Sequence, residues 1–314
     1  MADPFATARR TVAAASAVSP RLGGRVALGA FFATGRRMPV RADDSETHLR
    51  AQRGSVVVRG HHLATYRWGG GDRTVLLLHG WRGRASQFAP LVRELVAEGF
   101  HVVSFDAPAH GDSPGRSTDI RDWLAATEQL QARYGRFQAI VGHSFGGLAA
   151  LTAARSGVTT SAVATIAGAG TPAAFLAEFS GAMRLDERTR ERFEWGFRRR
   201  LGEDAASLVR RYDAAADPLS AGIDLLLAHD DTDRQLSPSW SLALAEAHGD
   251  RARLVRTTGF GHVRILSADI VLDTVVALAT GGLSGVDRAL GGQSATAPDD
   301  VPRTVPSASG TIGA

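Results

Sequence analysis

A serine between glycines, a late histidine and a cluster of aspartates are the residues whose types and order could do chemistry here. Val141-Gly142-His143-Ser144-Phe145-Gly146-Gly147 reads as strand, Gly-x-Ser-x-Gly turn and helix. Glycines two residues either side of the serine let strand and helix pack too closely for side chains, and the strained turn lifts a hydroxyl above a sheet. Ser144 is the candidate nucleophile. A hydroxyl attacks poorly until a base takes its proton, and histidine is the usual base because it titrates near neutrality. His262, in Gly259-Phe260-Gly261-His262, follows the last expected strand and precedes the last helix. There it can reach a neighbouring strand-end serine; the alternative is a loop histidine capping the next helix. The imidazole needs an acceptor that fixes its tautomer. The strand Ile223–Ala228 runs into His229-Asp230-Asp231-Thr232-Asp233, which offers three aspartates. Their place between serine and histidine gives the order Ser, Asp, His. Asp106 and Asp112 come earlier and are read as structural. Backbone N–H groups must receive the developing oxyanion. The Phe145 amide is one candidate. The other is the Trp81 amide, in His79-Gly80-Trp81 after the strand Thr74–Leu78.

Positioning these groups requires alternating strands and helices. Strands are expected at 56–58, 63–68, 74–78, 102–105, 138–141, 162–166, 223–227 and 253–256, with helices at 87–97, 120–134, 148–154, 242–247 and 265–279. The pattern implies an α/β fold with a doubly wound, mostly parallel sheet. Residues 51–170 and 219–282 form this core. Residues 171–218 contain no strand pattern and read as a helical insertion over one end of the sheet. The seven arginines between Arg184 and Arg200 alternate with Asp186, Glu187, Glu191 and Glu194 at helical spacing, which fits a salt-bridged solvent face better than an anion site. Residues 1–50 read as helices packed on the outside of the domain, in preference to a membrane-surface anchor formed by residues 1–45. The Gly-, Ser-, Pro- and Thr-rich tail, residues 283–314, is expected to be disordered, above all beyond Gly291.

The 314 residues suit one large domain with an insertion, and 44% hydrophobic residues suffice for a sizeable core. There is no cysteine, hence no disulfide framework and no thiolate site, which fits the cytoplasm. All 36 basic residues are arginine, so a net charge of only +4 accompanies a pI near 10.4. They are scattered among acids rather than gathered in a stripe with aromatics, which argues against a nucleic-acid partner. His61-His62 and His229 lack a recognisable metal-ligand spacing, and no metal or cofactor is expected.

The chain resembles the α/β-hydrolase superfamily from about residue 55 to 280. Four motifs carry the resemblance, in order: His79-Gly80-Trp81; Asp106-Ala107-Pro108-Ala109-His110-Gly111-Asp112-Ser113; Gly142-His143-Ser144-Phe145-Gly146-Gly147; and Gly261-His262. The second resembles the family's Asp-x-x-Gly-x-Gly-x-Ser loop, here with Ala109 and His110 in the middle. The family pattern His-Gly-x-x-Asp falls on His229 to Asp233, so the resemblance selects Asp233 as the acid, although Asp230 stands where the family has glycine. It also implies that residues 171–218 are a helical lid, in a bacterial subgroup of unassigned substrate. A serine at the elbow, where dehalogenases and epoxide hydrolases of this fold carry aspartate, implies a small-molecule ester or thioester substrate. Trp81, Phe175, Phe179 and Trp195 are expected to line its pocket. Carbon–carbon bond hydrolysis, perhydrolysis and ligand binding without turnover are the rival readings; the set of catalytic groups favours hydrolysis over binding.

Overall fold

The computed structural model describes residues 5–294. The strands are Gln52–Val58 (β1), His61–Trp68 (β2), Thr74–Leu78 (β3), His101–Phe105 (β4), Phe137–His143 (β5), Thr160–Ile166 (β6), Asp224–Asp230 (β7) and Ala252–Thr257 (β8). Among the described residues they form one sheet in the order β1-β2-β4-β3-β5-β6-β7-β8. β1 pairs antiparallel with β2, and β2 antiparallel with β4. From β4 to β8 every pairing is parallel. Arg59 and Gly60 join β1 to β2 at φ of 47° and 81°, a two-residue turn whose twist suits paired strands. β1 begins four residues before the expected Val56, because its first residues pair through the backbone while their side chains stay in water. β3 is buried at every position, and its alternate residues feed two different cores. Leu76 and Leu78 join one, Val75 and Leu77 the other, as a strand covered on both faces requires.

Helices Ala6–Val18 (α1), Pro20–Phe31 (α2) and Ala42–Leu49 (α3) precede the sheet. Ser19 separates the first two, its hydroxyl accepting from the Leu22 amide at 3.2 Å while Pro20 opens the next turn. Ala89–Ala97 (α4) covers one sheet face, and Ile120–Tyr134 (α5) and Phe145–Arg155 (α6) cover the other. The segment between β6 and β7 is helical: Pro172–Met183 (α7), Glu187–Leu201 (α8) and Ala205–Tyr212 (α9), with side-chain caps from Thr171, Asp186 and Asp204. On α8, Arg190 pairs with Glu187 and with Glu194 at 2.6 Å. α2 lies against α8 at two glycines: a Cβ on Gly24 would meet the Arg192 backbone, and one on Gly196 would touch Leu28.

Ser239–His248 (α10), Gly261–Arg264 (α11) and Asp269–Ser294 (α12) are the last helices among the described residues. Of the tail expected to be disordered from residue 283, residues 283–294 are instead helical. Gly282, at φ 61°, breaks α12, and the Leu283 amide then donates to Asp224 Oδ2 at 2.9 Å. Leu283, Val286 and Leu290 pack on the α4 face and Asp287 pairs with Arg253 of β8 at 2.6 Å, which holds a stretch that composition alone reads as unstructured. Residues 295–314 lie outside the described residues. Among those described, α12 alone is long and apolar enough to cross a membrane; Val271, Val275, Leu278 and Ala279 are buried against the sheet.

Candidate active site

Ser144 closes β5 and opens α6 at φ 53° and ψ −118°, a backbone state that a non-glycine residue adopts only under constraint. The glycines explain how the turn closes. A Cβ on Gly142 would overlap the Gly146 carbonyl, and one on Gly146 the Leu78 carbonyl of β3. His262 stands at the start of α11, a short helix after β8 rather than the open loop expected. Its Nε2 lies 2.9 Å from Ser144 Oγ and its Nδ1 2.7 Å from Asp233 Oδ2. The three residues, far apart in sequence, meet above the strand ends of β5, β7 and β8.

The aspartate cluster divides its work. Asp233 has a fully buried side chain. Oδ1 accepts the amides of Gln235 and Leu236 at 2.7 and 3.1 Å, leaving Oδ2 for His262. A second histidine reaches the same oxygen: His229 Nε2 is 3.3 Å from Oδ2. His229 is itself buried, with Nδ1 2.7 Å from Ser241 Oγ and Nε2 3.0 Å from the Leu236 carbonyl. Burial favours protonation of Asp233, but hydrogen bonds from His229 and His262 outweigh it and hold the carboxyl well below its usual range. Asp230 points elsewhere. It accepts from the Thr232 amide at 3.0 Å, the Thr257 hydroxyl at 2.8 Å and the Phe260 amide at 2.9 Å. Burial is again overcome by these bonds, and its carboxyl is held low too. Asp230 thus clamps the β7 and β8 ends to the loop that carries His262. Asp231 faces outward and pairs with Arg256 at 2.8 Å.

Two backbone amides lie beside the serine. That of Phe145 is the first of α6 and has no helical acceptor. Trp81 lies on the loop after β3, where a Cβ on Gly80 would touch Ser144 Cβ. Neither amide has an acceptor among the described residues. The loop is fixed on both sides of Trp81. His79 donates through Nδ1 to the Gly80 carbonyl at 2.8 Å and accepts the Ala107 amide at 3.0 Å. His110 accepts the Arg82 amide at 2.9 Å. Ala109 and His110, in the middle of the family's second motif, therefore have structural roles. Ala109 takes the positive φ of 64° otherwise left to glycine, and His110 braces the loop opposite. Asp106 accepts from Tyr66, the Ala85 amide and the Asp112 amide, each at 2.8 Å, which holds the two loops together. Burial pushes His110 down to about 3, helped by His79; it does the same to His143, helped by His262. His143, between the elbow glycine and the serine, donates through Nε2 to the His262 carbonyl at 2.8 Å.

A cavity of about 610 Å³ opens beside Ser144, His143 and His262. Trp81, Phe175 and Phe179 line it as expected from sequence. Trp195 does not: it is 50% exposed on the outer side of α8, with the Arg199 guanidinium 5.2 Å from its ring. The error was one of helix face, since Phe193 and Phe197 turn inward and Trp195, between them, turns out. Sequence reasoning also missed that the N-terminal helices contribute Phe31 and Phe32 to the wall. It missed His229 behind Asp233, although the spacing of four residues was visible.

A hydroxyl, an imidazole and a buried carboxylate in line can move a proton from oxygen to nitrogen and steady the resulting imidazolium. Comparison with known proteins agrees with the fold. An esterase of Pyrococcus furiosus superposes with a TM-score of 0.59 at 18% identity, covering 81% of this chain and 98% of its own. The mouse alpha/beta hydrolase domain-containing protein 10 gives 0.57 at 16%, covering 77% and 100%. The meta-cleavage product hydrolase of Pseudomonas fluorescens gives 0.53 at 19%, covering 73% and 97%. No curated protein sequence matches the chain. The model of the Alpha/beta hydrolase family matches residues 75–306, from β3 through the His262 loop and beyond, and the chain belongs to that family.

Proposed function

We propose that the protein is a serine hydrolase that cleaves a carboxylic ester or thioester through an acyl-enzyme. The observation that carries this reading is the unbroken contact from Ser144 Oγ to His262 and from His262 to Asp233, at 2.9 and 2.7 Å. In the first step the Ser144 proton passes to His262 Nε2 as Oγ bonds to the substrate carbonyl carbon. The carbonyl oxygen becomes an oxyanion and accepts from the Trp81 and Phe145 amides. Collapse breaks the bond to the alcohol or thiol, which leaves with the proton from His262. Water then repeats the sequence on the acyl-enzyme and releases the acid. Asp233 stays ionised and keeps the His262 Nδ1 proton facing it. An esterase and a thioesterase domain stand among the structures of similar fold, which agrees with this bond class.

Steady-state hydrolysis of p-nitrophenyl and acyl-thioester substrates tests the reading. Ser144→Ala should lower kcat by ~10⁴-fold or more, with Tm unchanged within a few degrees. Turnover that survives in Ser144→Ala would contradict it, and so would tight binding of such esters by the wild type without turnover.

A further inference from the structure

We propose that the group cleaved is a long, apolar, fatty-acyl chain, and that the N-terminal helical segment supplies the far wall of its site. The chemistry rests on the serine-hydrolase reading above; the substrate class rests on the cavity. Aromatic rings run from the nucleophile to α2 without a gap. Phe145 meets Trp81 at 5.4 Å between centroids, Trp81 meets Phe32 at 6.3 Å, and Phe32 meets Phe31 at 5.1 Å. Phe31 then contacts Phe179 of α7 at 5.2 Å and Phe197 of α8 at 5.8 Å. The wall therefore combines the core, the insertion and the residues before the sheet.

The charged groups along this cavity are largely committed to protein partners. Glu178 accepts from the Ser237 amide at 3.1 Å and the Trp240 indole at 3.2 Å. Asp119 accepts from Arg121 at 2.8 Å. Arg82 donates to the Ala33 carbonyl at 3.1 Å. Arg234, exposed, remains at the rim. A charged or sugar-like acyl group would find few partners here, whereas a hydrocarbon chain would replace water along an aromatic wall. The same Ala33 carbonyl accepts the Trp81 indole at 3.2 Å, so the N-terminal segment is bonded to the loop that carries a proposed oxyanion donor.

The test is kcat/KM of the full chain on p-nitrophenyl esters from acetate to dodecanoate. Each methylene taken into the cavity should raise it about fourfold until the cavity is full. Phe31→Trp fills the far end and should lower the dodecanoate-to-butanoate ratio about tenfold; Phe31→Ala opens it and should raise the ratio. A residue that merely packs would depress all esters together in both variants. A profile flat or falling from acetate onward overturns the proposal, as does a ratio that neither variant moves by more than about twofold. Calorimetric binding of dodecanoic acid to Ser144→Ala separates the two readings. If no ester is turned over but the acid binds and Phe31→Trp weakens it, the pocket assignment stands and the chemistry falls. Absence of both turnover and binding removes both.

Discussion

At Ser144 the backbone is held at φ 53° by neighbours that tolerate no side chain, and this makes a sharp demand on Gly146. Gly146→Ala would push a methyl into the Leu78 carbonyl, and urea denaturation should show a loss of about 1–3 kcal/mol or outright failure to fold. The carboxylates separate by role. Asp233→Asn should cost ~10⁴ in kcat, because an amide cannot fix the His262 tautomer, and it also loses the stability that the lowered carboxyl supplies. Asp230→Asn weakens bonds to Thr257 and to the Phe260 amide, lowering stability by about 1–3 kcal/mol with a far smaller loss of kcat. If Asp230→Asn costs more rate than Asp233→Asn, the assignment of the acid is wrong. Ser144 and His262 were legible because their neighbours in sequence are also their local constraints. Asp233 was not separable from Asp230 and Asp231 by spacing, since the choice depends on which carboxylate faces a loop 29 residues later. The family pattern made the selection, and the bonds to Thr257 and Phe260 explain how an aspartate serves where the family has glycine.

The elements that cover the site were legible as helices but not as neighbours. α1 and α2 carry ordinary amphipathic patterns, and nothing in the sequence of α2 names α8 as the surface it buries. Their contact depends on Gly24 and Gly196, small residues that let two backbones approach. Gly24→Val should force α2 off α8; differential scanning calorimetry should register a lower Tm, and ester hydrolysis should weaken through KM as Phe31 and Phe32 move. An unchanged Tm and KM would show that the contact is not tight. The central strands were read close to their bounds because both faces are covered and the apolar runs are continuous. β1 and the end of α12 were misjudged for the opposite reason: each is held by backbone pairing or by a few apolar contacts made at a distance.

Over the whole molecule, buried histidines set the response to acid. His110 and His143 are pushed down to about 3 by burial, and His48, His79, His101 and His248 are lowered for the same first reason. In the unfolded chain each titrates near 6.5, so between about pH 6.5 and 3 the unfolded state binds more protons and stability rises with pH. His110 and His143 should each contribute of order 1 kcal/mol per pH unit in that window. The lowered carboxyls of Asp230 and Asp233 act from its acid end downward: their stabilisation is complete above the unfolded value and is lost as pH falls beneath about 4. Urea denaturation at pH 7, 5.5 and 4.5 should therefore show a steady fall, and a flat profile would contradict the neutral burial of these rings.

The chemistry proposed for the site depends on His262 and Asp233 making Ser144 a nucleophile. Mass spectrometry of the intact protein after treatment with a short alkyl fluorophosphonate reads this without knowledge of the substrate. One adduct per chain is expected, mapped to the Ser144 peptide, absent in Ser144→Ala and formed far more slowly in His262→Ala. Equal labelling of wild type and Ser144→Ala, or an adduct on another residue, would contradict it.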